Sequence, residues 1–227
     1  SQFLDRSIDG LCLIAPALRN PIPKDLLLTH LPFLVVGADY SDKSISWIDV
    51  DNEEGARIAM EYLIQRGHTR IAHLAGEKAQ RSAQLRWNGY CSALEKHQLP
   101  NEPTYLHWCN YDQAEGYRYA KRLLQRSDRP TAIFAADDLI ALGVLEAAQE
   151  LGLRVPKDLS VIGFDDIPKA QYTHPPLTTI QQPMREIGVR AARWLIKQAN
   201  TKRVEPLQLL IKPKLKERGS VSNLNAS

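Results

Sequence analysis

An α/β fold built on parallel sheets is what this sequence predicts, and three features predict it. Short apolar runs alternate with longer amphipathic segments along the chain. Several runs lack the polar alternation of a half-exposed strand, as expected of strands buried on both faces. The amphipathic segments carry helix-start and helix-stop residues at their ends, and strand–helix alternation places helices on both faces of a parallel sheet.

The predicted strands are Leu11–Ile14, Phe33–Val36, Ile45–Val50, Ile71–Leu74, Thr104–Trp108, Ala132–Ala135, Leu159–Ile162, Thr178–Ile180 and Leu207–Ile211. The helix Asn52–Arg66 opens on Asn52 as N-cap, with Glu53 and Glu54 in the electropositive first turn. Its Ala56, Ala59, Met60, Leu63 and Ile64 form one apolar stripe, and Gly67 supplies a left-handed stop. Helices over Ser82–Lys96 and Gln113–Gln125 fill the next gaps. Asp138–Leu151 turns Ile140, Val144, Ala147 and Leu151 inward and stops at Gly152. Pro183–Ala199 begins on a proline, which a first turn tolerates, and buries Ile187, Ala191, Trp194 and Leu195. Phe164–Pro176 is the main irregular stretch, and Ser220–Ser227 reads as a frayed tail.

Composition narrows the function classes. The 227 residues carry 29 Lys and Arg against 26 Asp and Glu, a net charge of +3, with 44% hydrophobic residues. That excludes a disordered chain or a strongly charged binding tail. No run approaches the roughly 18 apolar residues of a membrane span. Cys12, Cys91 and Cys109 are odd in number and lack C-x-x-C spacing, so they read as reduced, buried, small apolar residues. Residues 1–10 have neither the basic nor the apolar region of a secretory leader, which points to the cytoplasm, and the lack of an initiator Met reads as a fragment.

Ligands of open parallel sheets bind at the carboxyl ends of the strands. The residues just past the predicted strands are therefore the candidates. Past Ile71–Leu74 comes a loop and then Arg86; past Thr104–Trp108 come Asn110, Tyr111 and Asp112; past Ala132–Ala135 come Asp137 and Asp138; past Leu159–Ile162 come Phe164, Asp165 and Asp166. An arginine fork, an aromatic face and paired carboxylates suit a small polar ligand such as a sugar or a base. Plainer roles compete with this one. Asp138 reads as the helix cap, Asp137 as cap or ligand contact, and Asp165 as ligand contact or turn former. Tyr111 competes with an exposed loop aromatic, and Arg86 with a surface ion pair.

Catalytic readings are weaker. Adjacent acids on a turn point apart, whereas glycosidase carboxyls face each other across a substrate. Phosphate-loop, dinucleotide-binding and nucleophile-elbow motifs are absent. The six histidines, His30, His68, His73, His97, His107 and His174, lack metal-site spacing, and His68 and His73 read as structural. No cofactor, metal or enzymatic activity is expected. Lys212, Lys214 and Lys216 alternate along a run that reads as a solvated edge rather than a nucleic-acid patch.

Five segments resemble the effector-binding core of the lactose-repressor/galactose-repressor (LacI/GalR-type) family of bacterial transcription regulators. They are Ile8–Pro16 (IDGLCLIAP), Val50–Gly76, Arg86–Tyr90 (RWNGY), Pro130–Ile167 and Pro175–Leu195, in order and spacing through nearly the whole chain. The resemblance implies a type I periplasmic-binding-protein-like fold of two doubly wound subdomains with a ligand cleft between them. It implies an N-terminal subdomain from 1–50 plus 176–211, a C-terminal subdomain over 53–175, and a C-terminal strand and tail over 212–227. Two leading βα units of the first subdomain and the helix-turn-helix head are missing from the chain, so that subdomain is expected to be incomplete. The implied effector contacts are Arg86, Tyr111, Asp137 and Asp165, with Ser82 and Gln84 lining the pocket. The implied function is a cytoplasmic, homodimeric repressor that senses a sugar, sugar phosphate or purine and controls operator DNA through the missing head. A periplasmic sugar-binding protein of a transporter is the alternative.

Overall fold

A computed structural model describes residues 8–15, 22, 24–28, 31–201 and 205–225. The strands in chain order are β1 (Leu11–Ile14), β2 (Phe33–Val36), β3 (Trp47–Val50), β4 (Ile71–Ala75), β5 (Leu106–Trp108), β6 (Ala132–Ala135), β7 (Ser160–Asp165), β8 (Thr178–Gln181), β9 (Gln208–Ile211) and β10 (Lys214–Lys216). The helices are α1 (Lys24–Leu27), α2 (Asn52–Gln65), α3 (Arg81–Lys96), α4 (Gln113–Leu124), α5 (Asp138–Glu150) and α6 (Met184–Thr201). Where a strand is shorter than its apolar run, a tight turn intervenes: Pro103–Tyr105 forms a 3-10 turn ahead of β5.

The chain divides into two compact units, residues 1–51, 79–82 and 183–212, and residues 52–78, 83–182 and 213–227. These boundaries differ from the expected ones at the second break. Thr178–Gln181 pairs in parallel with β7, so the break falls after Gln182 rather than at 176, and the C-terminal segment from Pro213 joins the second unit.

The first unit is a four-stranded parallel sheet in the order β1-β2-β3-β9. Ile187 and Ala191 of α6 bury one face with Leu34, Ile48 and Ile211, as the stripe of that helix predicts. The other face packs Leu26, Val35, Ile45 and Trp47. On β1, alternate residues face outward, so Cys12 and Ile14 are exposed. The expectation of three buried thiols therefore holds for Cys109 alone; Cys12 sits on an edge strand and Cys91 is half-buried.

The second unit is a six-stranded sheet, order β10-β8-β7-β6-β4-β5, parallel except for β10, which runs antiparallel to β8 at the edge. Its parallel strands follow the 2-1-3-4-5 winding, which reverses direction between β4 and β6. Opposite winding leaves a crevice at the carboxyl ends of these two strands, where ligands dock in such sheets. The strands β4 and β6 are buried along their whole length, as their apolar runs predict, with His73 of β4 buried among them.

The tail is not frayed at its start. Ser220 is fully buried. Its hydroxyl donates to the Val161 carbonyl (2.6 Å) and accepts from the Thr178 amide (2.8 Å), stitching the entries of β7 and β8. Hydroxyl bonds of that kind carry no apolar signature, so sequence patterning could not report them.

Candidate ligand-binding site

Four strand ends of the second unit deliver the site. Arg86, one turn into α3, is 3% exposed. Its Nε donates to Asn52 Oδ1 (2.9 Å), Nη1 to the Ala136 carbonyl, and Nη2 to Asp165 Oδ1 (3.4 Å). The guanidinium also lies 3.6 Å from the centre of the Phe164 ring, a cation–π contact. That ring fits only because Gly55 of α2 has no side chain: a Cβ there would fall 2.6 Å from Phe164 Cε2. A fork held at every tine is a rigid platform, not a surface ion pair. Asn52, the first residue of α2 and read from sequence only as a helix cap, holds this arginine through its side-chain oxygen.

The cap falls on Asp137, one of the two roles left open for it, and not on Asp138. Asp137 is the N-cap of α5: its backbone is extended and its Oδ1 accepts from the Ile140 amide (2.8 Å). Asp138 lies one residue inside the helix and is wholly buried. Its Oδ1 accepts from Thr179 Oγ1 (2.6 Å) and its Oδ2 from the Ile167 amide (2.8 Å). Gly163 makes room for it, since a Cβ there would lie 2.2 Å from Asp138 Oδ1. Burial raises both carboxyls, Asp137 to about 6 and Asp138 to about 7, against the hydrogen bonds that lower them.

Asp165 ends β7 with φ +108°, and Asp166 follows at φ +60°. Each left-handed non-glycine residue costs about 1–3 kcal/mol, so the turn persists only because its surroundings hold it. Gln182 Nε2 donates to Asp165 Oδ1 (2.5 Å), and Gln181 Nε2 to Asp166 Oδ2 (2.8 Å). Burial raises the pKa of Asp165, opposed by Arg86 and Gln182. Its side chain is still 30% exposed and so retains an open acceptor edge.

Tyr111 lies past β5, where both Asn110 (φ +49°) and Tyr111 (φ +57°) are left-handed. Asp112 then caps α4 by accepting from the Glu115 amide (2.8 Å). The tyrosine ring rests over Gly76 at the end of β4. The helices that carry Tyr111 and Asp137 meet backbone to backbone. A Cβ on Gly143 would stand 2.2 Å from the Gln113 carbonyl, and one on Gly116 2.8 Å from the Ile140 carbonyl. This close crossing sets the two helix N-termini side by side.

The structure thus brings Arg86 and Asp165 into contact. Asp137 lies within electrostatic reach of both, and Tyr111 caps the adjoining strand end. Gln84 does not join them: its amide donates to the Lys78 carbonyl (3.1 Å) in the preceding loop. Ser82 falls in the first unit, half-buried in the first turn of α3. Sequence reasoning missed Asn52, Gly76, the bracing role of Asp138, and Gln182. Gly76 just past β4 and Gly163 inside β7 were the available signal. Among the described residues, no three His, Cys, Asp or Glu side chains are grouped to hold a metal ion. A cavity of about 660 Å³ in the same unit is lined by Leu142, Leu145, Glu146, Arg154, Lys169 and His174 among others, and by none of the residues named as the site.

Comparison with known proteins agrees with this architecture. Residues 60–221 match the periplasmic binding protein-like domain family. A LacI-family regulatory protein from Chloroflexus aggregans superposes with a TM-score of 0.87 at 36% identity, covering 95% of this chain and 77% of that one. The chain belongs to the periplasmic-binding-protein-like family, in its LacI-type regulator branch. Within that branch it is 39% identical, over 98% of its length, to the HTH-type transcriptional repressor PurR of Yersinia pestis. It also matches a cellobiose complex of the transcriptional regulator CelR, with a TM-score of 0.88 at 31% identity over 95% of this chain and 67% of that one. The chain spans 66% of the length of the PurR relatives.

Proposed function

We propose that this chain is the effector-sensing core of a ligand-responsive transcription repressor. The observation that carries the reading is the convergence of Arg86, Asp137 and Asp165 at one strand-end rim, with Tyr111 on the adjoining strand end. Arg86 is taken up by Asn52, the Ala136 carbonyl and Asp165, so the rim offers acceptors rather than an unengaged cation. Such a rim suits a neutral polar ligand rich in O–H or N–H donors, a sugar or a purine base, ahead of a sugar phosphate. Tyr111 would stack on its face.

The regulator names of the relatives support this reading over a transporter's periplasmic sugar-binding protein. The whole protein would act in the cytoplasm as a homodimer and bind operator DNA through a helix-turn-helix head outside this chain. Effector and operator would then be coupled because the effector favours one of two conformations of the core, at a typical strength of about 1–3 kcal/mol.

Calorimetric titration against ribose, cellobiose, adenine, guanine and hypoxanthine tests the site. Asp165→Asn, which keeps the size of the side chain and removes its charge, should weaken the ligand that binds by about tenfold, the order of one charged hydrogen bond. Undiminished affinity in both Asp165→Asn and Arg86→Ala would place the ligand elsewhere.

A further inference from the structure

The strained turn that carries Asp165 is gripped from outside the strand-end rim. Asp165 and Asp166 are both left-handed and neither is glycine, so local preference does not favour the turn. Arg218, just past β10, reaches it. Its Nη2 donates to Asp166 Oδ1 (2.5 Å) and its Nη1 to the Leu177 carbonyl (2.8 Å). Its own amide donates to Thr178 Oγ1 (3.0 Å). The arginine is itself anchored. The Gly219 amide donates to the Pro176 carbonyl (3.0 Å), and Ser220 bonds both Val161 and Thr178. Both partners of the ion pair are largely buried, with side chains 20% and 11% exposed, so solvent screens it little.

We propose that Arg218 is a positioning residue for effector capture. From the C-terminal segment it holds the Asp165–Asp166 turn in its left-handed form, and ligand affinity at Asp165 depends on it although it contacts Asp166. The proposal rests on the reading of Asp165 as a ligand contact. A purely structural staple would have the same bonds but would tie the tail to the sheet without shaping the turn.

The test uses the full chain as wild type, Arg218→Ala, Arg218→Lys and Asp166→Asn. The first readout needs no ligand: hydrogen exchange of the Ile167 amide, which donates to Asp138 across the turn. In Arg218→Ala this amide should exchange about tenfold faster or more, with β6 amides unchanged and Arg218→Lys near wild type. The second readout is calorimetry with ribose, cellobiose and guanine. The one that binds wild type should weaken about tenfold in Arg218→Ala and recover in Arg218→Lys. If Arg218→Ala does not fold, Asp166→Asn should show the same two changes in smaller measure. Unchanged Ile167 exchange overturns the proposal, and so does a lower melting temperature with unchanged affinity in Arg218→Ala where Asp165→Asn weakens binding. Loss of binding in none of these variants and none in Asp165→Asn overturns the site reading instead, while the exchange result still decides whether Arg218 shapes the turn.

Discussion

The phenol ring of Tyr111 occupies the space where a side chain on Gly76 would begin: a Cβ built on Gly76 falls 2.1 Å from Tyr111 Cζ. No rotamer of an alanine avoids that overlap. Gly76→Ala should therefore displace the ring and weaken ligand binding toward the level of Tyr111→Ala. Loss of a stacked aromatic face is worth about 1–3 kcal/mol. Calorimetry of both variants checks it, and equal affinity of Gly76→Ala and wild type would show that the ring has no part in binding.

His73 should make stability rise with pH. It is completely buried on β4, with Nδ1 3.0 Å from the Phe134 carbonyl and its ring stacked on Phe134 and Tyr90 at 4.7 and 5.2 Å. Burial drives its pKa from 6.5 down to about 4. The unfolded chain binds this proton near 6.5 and the folded chain does not. The stability is thus complete above pH 6.5 and falls as pH drops toward 4, at about 1.4 kcal/mol per unit. Urea unfolding at pH 4.5 and 7 should show a smaller pH dependence in His73→Leu. The unpartnered Nε2 leaves no hydrogen bond to lose at that atom.

Asp137 and Asp138 pull the other way. Their folded values, about 6 and 7, lie above the ordinary 3.8, so the folded chain holds protons that the unfolded chain has released. Their contribution is full below about pH 4 and is lost as pH rises through 6 and 7. Asp138→Asn should remove one of these two falling contributions, so the slope of stability against pH between 5 and 7 becomes more positive than in wild type. Denaturant melts across that interval measure the slope; an unchanged or more negative slope would contradict the assignment.

The crossing of α4 and α5 should be intolerant of a single methyl group. Gly143→Ala would place its Cβ 2.2 Å from the Gln113 carbonyl and 2.6 Å from the Tyr117 amide. Backbone cannot yield as a side-chain tip does, so a loss of about 1–3 kcal/mol or more is expected. Thermal unfolding should report it as a fall of several degrees. Ligand affinity should fall too, because the crossing aligns the helices that carry Tyr111 and Asp137. Gly188→Ala, with nothing within 4 Å of the added carbon, is the matched control.

Much of the site was legible because its signal is local. A polar residue soon after an apolar run lies near a strand end wherever the strand finally sits, which put Tyr111, Asp137 and Asp165 among the candidates; Arg86 lies further on, inside α3. Roles that depend on a fraction of a helical turn were not legible. Asp137 and Asp138 are adjacent and chemically identical, and only the actual start of α5 decides which one caps. Gln84 sits two residues from Ser82 and from Arg86 on α3, a spacing that turns it to another face, and its amide closes onto the Lys78 carbonyl. Cys12 is apolar enough for a core but falls on the outward face of an edge strand.

Apolar periodicity and punctuation by Asn52, Gly67 and Gly152 determined the strands, the helices and the parallel α/β class, since these follow from interactions a few residues apart. The order of the strands, the crevice between β4 and β6, and the seat of Tyr111 on Gly76 were decided only in three dimensions. So were the buried fork of Arg86 and the grip of Arg218 on Asp166. Each joins residues tens of positions apart, and a hydrogen bond or close contact over that distance leaves no periodic trace in the chain.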